Sequence, residues 1–324
     1  MKIILSKTDD PYYNIATEEY LLKNCSEDIF FLYINSKSIV VGKHQNTLSE
    51  INYNYVIQNN IPVVRRLSGG GTVFHDKGNI NFCFITTGAK RELINFKKHT
   101  QPMVDFLKSI NINAHLGGRN DILIEGSKIS GNACHVFKSR VMHHGTLLFE
   151  SELSALTNSL KNDPLKFKDK AVKSVRSKVT NIKSHLKDEL TVDEFVKGLA
   201  KFISENYSAE YKTLNNEEGD IINTLSNDKY NTWDWNFAYG PKFELKKRIK
   251  GNNGKRFEIS MKVNKGIITD AKLKGNSKDQ KMIEAIETTL QNTKHHPELL
   301  YKALNNLNDE SKDLSSEQII EAIF

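Results

Sequence analysis

Two stretches of this chain carry side chains suited to phosphate and carboxylate groups. The first runs Arg65-Arg66-Leu67-Ser68-Gly69-Gly70-Gly71-Thr72-Val73-Phe74-His75-Asp76-Lys77-Gly78-Asn79. Three consecutive glycines lose more conformational freedom on folding than any other residues, so they stand where backbone must come close to something. A ribbon of backbone N–H groups beside two guanidinium groups suits a phosphate or a carboxylate. The residues after the glycines read as a strand. That excludes the Walker-type loop, where Gly-Lys-Ser/Thr opens a helix, and the dinucleotide fingerprint, which also leads into a helix. A solvated glycine turn is the plainer reading of three glycines alone, but the apolar strands around this run start it from the core.

The second stretch is Lys128-Ile129-Ser130-Gly131-Asn132-Ala133, which follows the turn Glu125-Gly126-Ser127. A lysine at a strand edge is usually solvated, yet its compact, rotatable ammonium is well suited to bridging a phosphate and a carboxylate that must meet. Asp121 follows Gly117-Gly118-Arg119-Asn120. It is placed either to hold magnesium, which takes one or two carboxylates with phosphate oxygens and water, or to cap its turn. His75, His143 and His144 lack a metal-like arrangement and read as structural or hydrogen-bonding groups. Cys134, near Lys128 and next to His135, is either a thioester nucleophile or, more commonly for a free cysteine in an apolar strand, a small core residue.

These residues need elements to position them. Asp10-Pro11 opens a helix over 11–25. Strands follow at 29–34 and 38–41, then a polar loop at 42–46, a helix over 49–58, and a strand at 62–64 that enters the glycine run. Residues 72–75 and 80–85 read as a hairpin around Asp76-Lys77-Gly78-Asn79. A helix over 96–109, a hairpin of 121–124 with 128–130, and a strand over 141–149 come next. Thr191, with Glu194 three residues on, caps a helix over 191–207. Short turns between strands predict an α+β arrangement, a mixed or antiparallel sheet with flanking helices.

At 324 residues the chain exceeds what one core usually supports. Past Trp233-Asp234-Trp235-Asn236-Phe237, Gly240-Pro241 marks a hinge, and the division expected is 1–240, a hinge at 241–250, and a small α/β domain at 251–324. Strand patterns at 243–250, 256–263 and 267–273 precede helical patterns that run to the end. Apolar residues at 38% and charged ones at 26% describe a soluble globular protein. No apolar run approaches the roughly 20 residues of a membrane span, and residues 1–10 lack the apolar core of a secretory signal. Three cysteines without metal-like spacing point to a reducing cytosol. Residues 161–187 hold nine basic and two acidic side chains, a net of +7 that equals the whole-chain excess. An acidic ligand, an acidic protein or a nucleic acid would suit that segment, as would a solvated face.

In order and spacing these blocks closely resemble the long, two-domain bacterial lipoate-protein ligases, nearly end to end. The matching residues are Asn14-Ile15-Ala16 with Glu18-Glu19, Gly42 with Gln45-Asn46, the arginine-glycine block, Gly118-Arg119-Asn120-Asp121, and Lys128-Ile129-Ser130-Gly131. His143-His144-Gly145-Thr146-Leu147-Leu148, Ser174-Val175-Arg176-Ser177 with Val179-Thr180-Asn181, and Trp233 with Trp235-Asn236-Phe237 complete the set. Small departures are Thr72, where alanine is common, and Cys134, which has no fixed counterpart.

The resemblance implies a biotin/lipoate ligase-like catalytic domain with a C-terminal accessory lid. It implies that lipoate and ATP give lipoyl-AMP and pyrophosphate, and that the lipoyl group then passes to a lysine of a lipoyl domain. Acceptors would be 2-oxo acid dehydrogenase acyltransferase subunits and the glycine cleavage H protein. Arg66 and the backbone of Gly71, Thr72, Val73 and Phe74 would hold the nucleotide. Ser68, Gly70, His75, Asn79 and Arg176 would join the binding set. Lys128 would span the lipoyl carboxyl oxygen and the α-phosphate, Asp121 would hold Mg2+, and His144 would border a slot for the aliphatic tail and dithiolane ring. Residues 161–187 would cover the adenylate. A cytoplasmic monomer with no nucleic-acid or membrane partner is expected, with the choice between lipoate and octanoate open. Octanoyl- and lipoyl-transferases on the same fold use a cysteine thioester without ATP. That route would require Cys134 or Cys83 and would make Lys128 a base.

Overall fold

A computed structural model describes residues 1–324 except 89–93, 119, 161–166, 176, 277–278 and 308–312. In chain order its strands are β1 (Lys2–Leu5), β2 (Ile29–Ile34), β3 (Ser38–Val41), β4 (Val63–Arg65), β5 (Val73–His75), β6 (Asn79–Thr87), β7 (Ala114–Leu116) and β8 (Asp121–Ile124). Then come β9 (Ser127–Phe137), β10 (Arg140–Leu148), β11 (Phe167–Asp169), β12 (Glu210–Tyr211), β13 (Phe243–Lys250), β14 (Arg256–Asn264) and β15 (Ile267–Lys274). The chain forms two compact units. The first comprises Met1–Lys43, Pro62–Leu156 and Ser174–Asn231, and the second His44–Ile61, Thr157–Lys173 and Thr232–Phe324.

In the first unit an eight-stranded sheet runs in the order β12-β1-β2-β6-β10-β9-β8-β7, beside a three-stranded sheet β4-β3-β5. The large sheet is parallel across β12, β1 and β2 and antiparallel beyond, the mixed α+β arrangement expected. Three helices flank the strands: α1 (Pro11–Asn24), α2 (Phe96–Ser109) and α3 (Val192–Asn206). Phe30, Leu32, Phe82 and Phe84 are buried in one core with Met103, Phe106 and Leu107 of α2 and Phe195, Leu199 and Ile203 of α3. Each such side chain contributes about 1.5–3 kcal/mol on full burial. The helical spacing of these residues explains why α2 and α3 lie down on that face. Thr191 and Glu194 form the expected capping box at the start of α3. Asp10 caps α1, accepting from the Tyr12 N–H at 2.8 Å.

Helix α1 buries polar residues as well as apolar ones, including Asn14, Thr17, Glu18 and Glu19. A buried carboxylate needs donors. Glu19 takes the Lys229 ammonium at 2.6 Å and the Tyr230 hydroxyl.

Three expectations are corrected. Residues 72–75 and 80–85 do not form a hairpin: β5 pairs with β3, while β6 lies between β2 and β10. The chain changes sheet at Asp76–Gly78, where Asp76 accepts from the N–H groups of Gly78 at 2.9 Å and Glu152 at 2.7 Å. The Gly78 carbonyl accepts from Phe149 and Glu150, both at 3.0 Å. Turn composition marks a reversal but does not say which strand the chain pairs with afterwards. The helix expected over 49–58 is two, Thr47–Glu50 and Tyr53–Gln58, because Asn52 leaves helical geometry to cap the second. Finally, 243–250 is not hinge but strand β13, paired along its length with β14.

The second unit holds an antiparallel sheet in the order β11-β13-β14-β15. Helices follow at Gln280–Leu290, Pro297–Asn305 and Ser316–Ile323. Alternation is clean along β13, where Phe243, Leu245 and Ile249 are buried between exposed lysines and Glu244. Among the described residues no helix is long and apolar enough to cross a membrane.

Gly78 has no room for a side chain, since an added Cβ would lie 2.3 Å from the carbonyl carbon and oxygen of Glu150. Overpacking of this kind costs about 1–3 kcal/mol. Gly78→Ala should lower stability by about that amount in urea denaturation, and an unchanged midpoint would show that the turn shifts freely.

Candidate active site

Lys128 stands on β9 one strand from Asp121 on β8. Side chains of a regular strand alternate between faces, so Lys128 and Gly131, three residues apart, would ordinarily point opposite ways. A register shift between β8 and β9 changes this. Asp121 pairs with Gly131 and Ile122 with Ser130, but Leu123 pairs with Lys128. The extra residue returns Lys128 to the face that carries Asp121 and Gly131, as a bulge does. Its ammonium lies 2.8 Å from the Asp121 carboxylate, both side chains being mostly buried. An added Cβ on Gly131 would meet Lys128 Nζ at 3.0 Å, so glycine leaves the ammonium its place. The backbone of Lys128 is tied on its other flank: its N–H donates to the Lys178 carbonyl at 2.8 Å, and its carbonyl accepts from Thr180 at 3.0 Å.

Asp121 is therefore the partner of the lysine. Among the described residues no group of three His, Cys, Asp or Glu side chains is gathered as a cation site. Magnesium takes one or two carboxylates with phosphate oxygens and water, and Asp121 supplies one such carboxylate.

The glycine run is braced by Arg66, which is almost fully buried. Its Nε donates to Ser68 Oγ at 3.0 Å, Nη1 to the Val40 carbonyl at 3.0 Å, and Nη2 to the carbonyls of Gly69 and Gly71 at 2.7 Å each. Bringing two loop carbonyls to one nitrogen requires a sharp reversal, and Gly70 supplies it with φ +89°. Positive φ is costly for any residue with a Cβ. Arg66 thus shapes the loop from behind, whereas the sequence pattern pointed its guanidinium at a ligand. The Thr72 N–H donates to Ser174 Oγ at 2.9 Å. Ser174 touches the glycine loop and Lys178 touches Lys128. A span of four residues covers no more than about 14 Å, which bounds the distance between the two stretches read from the sequence.

Beyond Arg66 runs a buried polar chain. Ser68 Oγ lies 2.6 Å from His144 Nε2, and His144 Nδ1 lies 2.8 Å from Glu18 Oε2. The Tyr33 hydroxyl donates to Glu18 at 3.0 Å, and burial together with that carboxylate holds the phenol well above its ordinary pKa. Burial pulls the Arg66 pKa down to about 10, against the opposing pull of Glu18. Glu18 was not among the site residues expected. A signal was present in Ile15, Glu18 and Leu22, spaced i, i+3, i+7, which sets a carboxylate on the apolar face of a helix.

A second chain fixes His75. Ser6 Oγ donates to Asn14 Oδ1 at 2.6 Å, Asn14 Nδ2 to Asn35 Oδ1 at 2.9 Å, and Asn35 Nδ2 faces His75 Nδ1 at 3.0 Å. Each step fixes the next, so Nδ1 accepts and the proton sits on Nε2. Nε2 is buried with no partner among the described residues, a donor suited to a ligand acceptor or an ordered water. Of the other expected residues, Phe74 is buried within the small sheet and Val73 is half-buried beside it. Asn79 is buried and donates to Asn81 at 2.9 Å. Arg176 lies outside the described residues, as do Arg119 and residues 161–166 of the basic segment.

Directly opposed residues of a sheet share a face. His144 pairs with Ala133 and with Cys83, while Cys134 pairs with His143. Cys134 therefore points away from the face of Lys128 and His144, and burial raises its thiol pKa. Cys83 is on the right face but fully buried, its thiol held well above the ordinary value by burial and then by Glu18. The thiolate is the nucleophile, and neither thiol is prepared to be one.

Comparison with known proteins agrees. The Lipoyl protein ligase A/B catalytic domain family matches residues 10–204, and the Bacterial lipoate protein ligase C-terminus family matches residues 240–323. Lipoate-protein ligase 1 of Staphylococcus aureus is 43% identical over 298 residues, 91% of this chain and 90% of that protein. Lipoate-protein ligase LplJ of Bacillus subtilis is 39% identical over 311 residues, 93% of this chain and 92% of that protein. The crystal structure of P. falciparum LipL1 in complex with lipoate is 26% identical, with a TM-score of 0.64 over 96% of each chain. Fold, site and relatives together define an enzyme of the ligase class. The chain belongs to the lipoate-protein ligase family.

Burial holds His75 and His99 neutral, each with a pKa lowered from 6.5 to about 3. The unfolded chain takes up these protons below pH 6.5 while the folded one does not, so stability falls as pH drops from about 6.5 toward 3. His99→Phe should flatten that fall, measured as Tm against pH. Identical slopes in variant and parent would show that His99 takes no part.

Proposed function

We propose that the protein is an ATP-dependent lipoate-protein ligase that activates free lipoate as lipoyl-AMP and transfers the lipoyl group to a lysine of lipoyl domains. The observation that carries this reading is the placement of Lys128. A strand irregularity returns its ammonium to the sheet face that bears His144, and one short segment ties its backbone toward the arginine-braced glycine loop.

A carboxylate and an amine do not condense spontaneously in water, so the carboxylate must first gain a leaving group. The lipoate oxygen attacks the α-phosphorus of ATP, and the bond to pyrophosphate breaks. The acceptor amine then attacks the acyl carbon, loses a proton, and the bond to AMP breaks. Negative charge gathers on the carboxyl and α-phosphate oxygens in the first step and on the acyl oxygen in the second. Lys128, released from Asp121 by these oxygens, stabilises the charge in both steps. The glycine loop, with the backbone of Gly71, Thr72, Val73 and Phe74, receives the nucleotide, and the basic 161–187 segment covers the mixed anhydride against water. Asp121, freed as Lys128 turns to the substrate oxygens, would hold Mg2+ together with phosphate oxygens and water.

Residues 1–240 act as the catalytic domain and 251–324 as an accessory domain. The acceptors are 2-oxo acid dehydrogenase acyltransferase subunits and the glycine cleavage H protein. The protein works as a cytoplasmic monomer. Three free cysteines, Cys25, Cys83 and Cys134, support the reducing compartment.

Incubation with ATP, lipoate and an apo lipoyl domain, followed by intact mass measurement, tests this. Lys128→Ala should lower both adenylate formation and transfer by roughly 100- to 1,000-fold, the usual cost of removing one charge-stabilising donor. Cys134→Ser should keep near-parental rates. Loss of turnover in the cysteine variant, or ATP-independent transfer, would sink the ligase reading.

A further inference from the structure

Arg66 is nearly fully buried, and among the described residues its guanidinium has no carboxylate in direct contact. A buried cation without a balancing anion is strongly disfavoured. The anion is Glu18, 1% exposed, two hydrogen-bonding side chains away. The polarity of the connection follows from donor chemistry. A guanidinium can only donate, so Ser68 Oγ accepts from Arg66 Nε, and the same oxygen lies 2.6 Å from His144 Nε2. The Glu18 carboxylate only accepts, so His144 Nδ1 carries a proton and donates it to Glu18 at 2.8 Å. The Tyr33 hydroxyl supplies another donor to the same carboxylate. The chain links the buried Arg66 guanidinium through Ser68 and His144 to the buried Glu18 carboxylate.

We propose that Glu18 is a positioning residue for the glycine loop, acting through His144 and Ser68 to hold Arg66 against the carbonyls of Gly69 and Gly71. The inference deepens the ligase reading, since it assigns the order of the nucleotide loop to a carboxylate on α1. Glu18 touches no reacting atom. Removing its charge leaves Arg66 uncompensated and the imidazole without an anchor, so the two 2.7 Å bonds that fold the loop back at Gly70 weaken.

Glu18→Gln and Ser68→Ala, singly and together, test this in the full chain. Hydrogen exchange of the peptide covering 66–72 should accelerate roughly 10- to 100-fold in each single variant, the worth of a hydrogen bond to a charged group. The double variant should be no worse than the poorer single one, because both cut the same chain. KM for ATP should rise in parallel with exchange. Unchanged exchange in the 66–72 peptide, multiplying effects in the double variant, or a rise in KM for lipoate with none for ATP each overturns the proposal. If Glu18→Gln fails to fold, Ser68→Ala alone decides, since it leaves the Glu18–His144 contact in place. If the parent protein forms no lipoyl-AMP, the ligase reading fails while the exchange measurement still judges the role of Glu18.

Discussion

The arrangement depends on one constraint: side chains along a strand alternate between faces, and chemistry needs its groups on the same one. Lys128 reaches the face of Asp121, Gly131, Ala133 and His144 only because one extra residue interrupts the pairing of β8 with β9. Without that irregularity its ammonium would point toward the apolar side packed by α2 and α3. The same rule sets Cys134 on the opposite face, because it pairs with His143, whereas Cys83 shares the face of His144 but is fully buried. A single shift of register thus puts Lys128 and Cys134 on opposite faces of the sheet.

The surrounding polar groups show how a protein interior tolerates charge. Arg66 and Glu18 are both buried, and among the described residues no carboxylate touches Arg66 and no lysine or arginine touches Glu18. Ser68 and His144 carry the interaction between them. The carbonyls of Gly69 and Gly71 complete the solvation of the guanidinium, so the loop's shape and the cation's burial are one problem with one solution.

Much of this was legible before any coordinates. The apolar periodicities of 96–109 and 191–207 gave α2 and α3, and the Thr191/Glu194 box was read directly. The glycine run and Lys128 were found because their residue types have few other uses together. Three things were hidden. Strand partners depend on the whole sheet, so β5 and β6 look like a hairpin until β2 and β10 occupy both flanks of β6. The irregularity at Ile122 leaves no mark in composition. Glu18 was visible as a carboxylate on an apolar helix face, but its significance appears only with His144, 126 positions away.

One feature of the lysine strand bears on timing. The 178–180 segment lies along the outer edge of Lys128 and shares two backbone hydrogen bonds with it, while Ser174 rests on the Thr72 amide. Any displacement of residues 178–180 together with Ser174 would take the outer support from Lys128 and the serine contact from the glycine loop together.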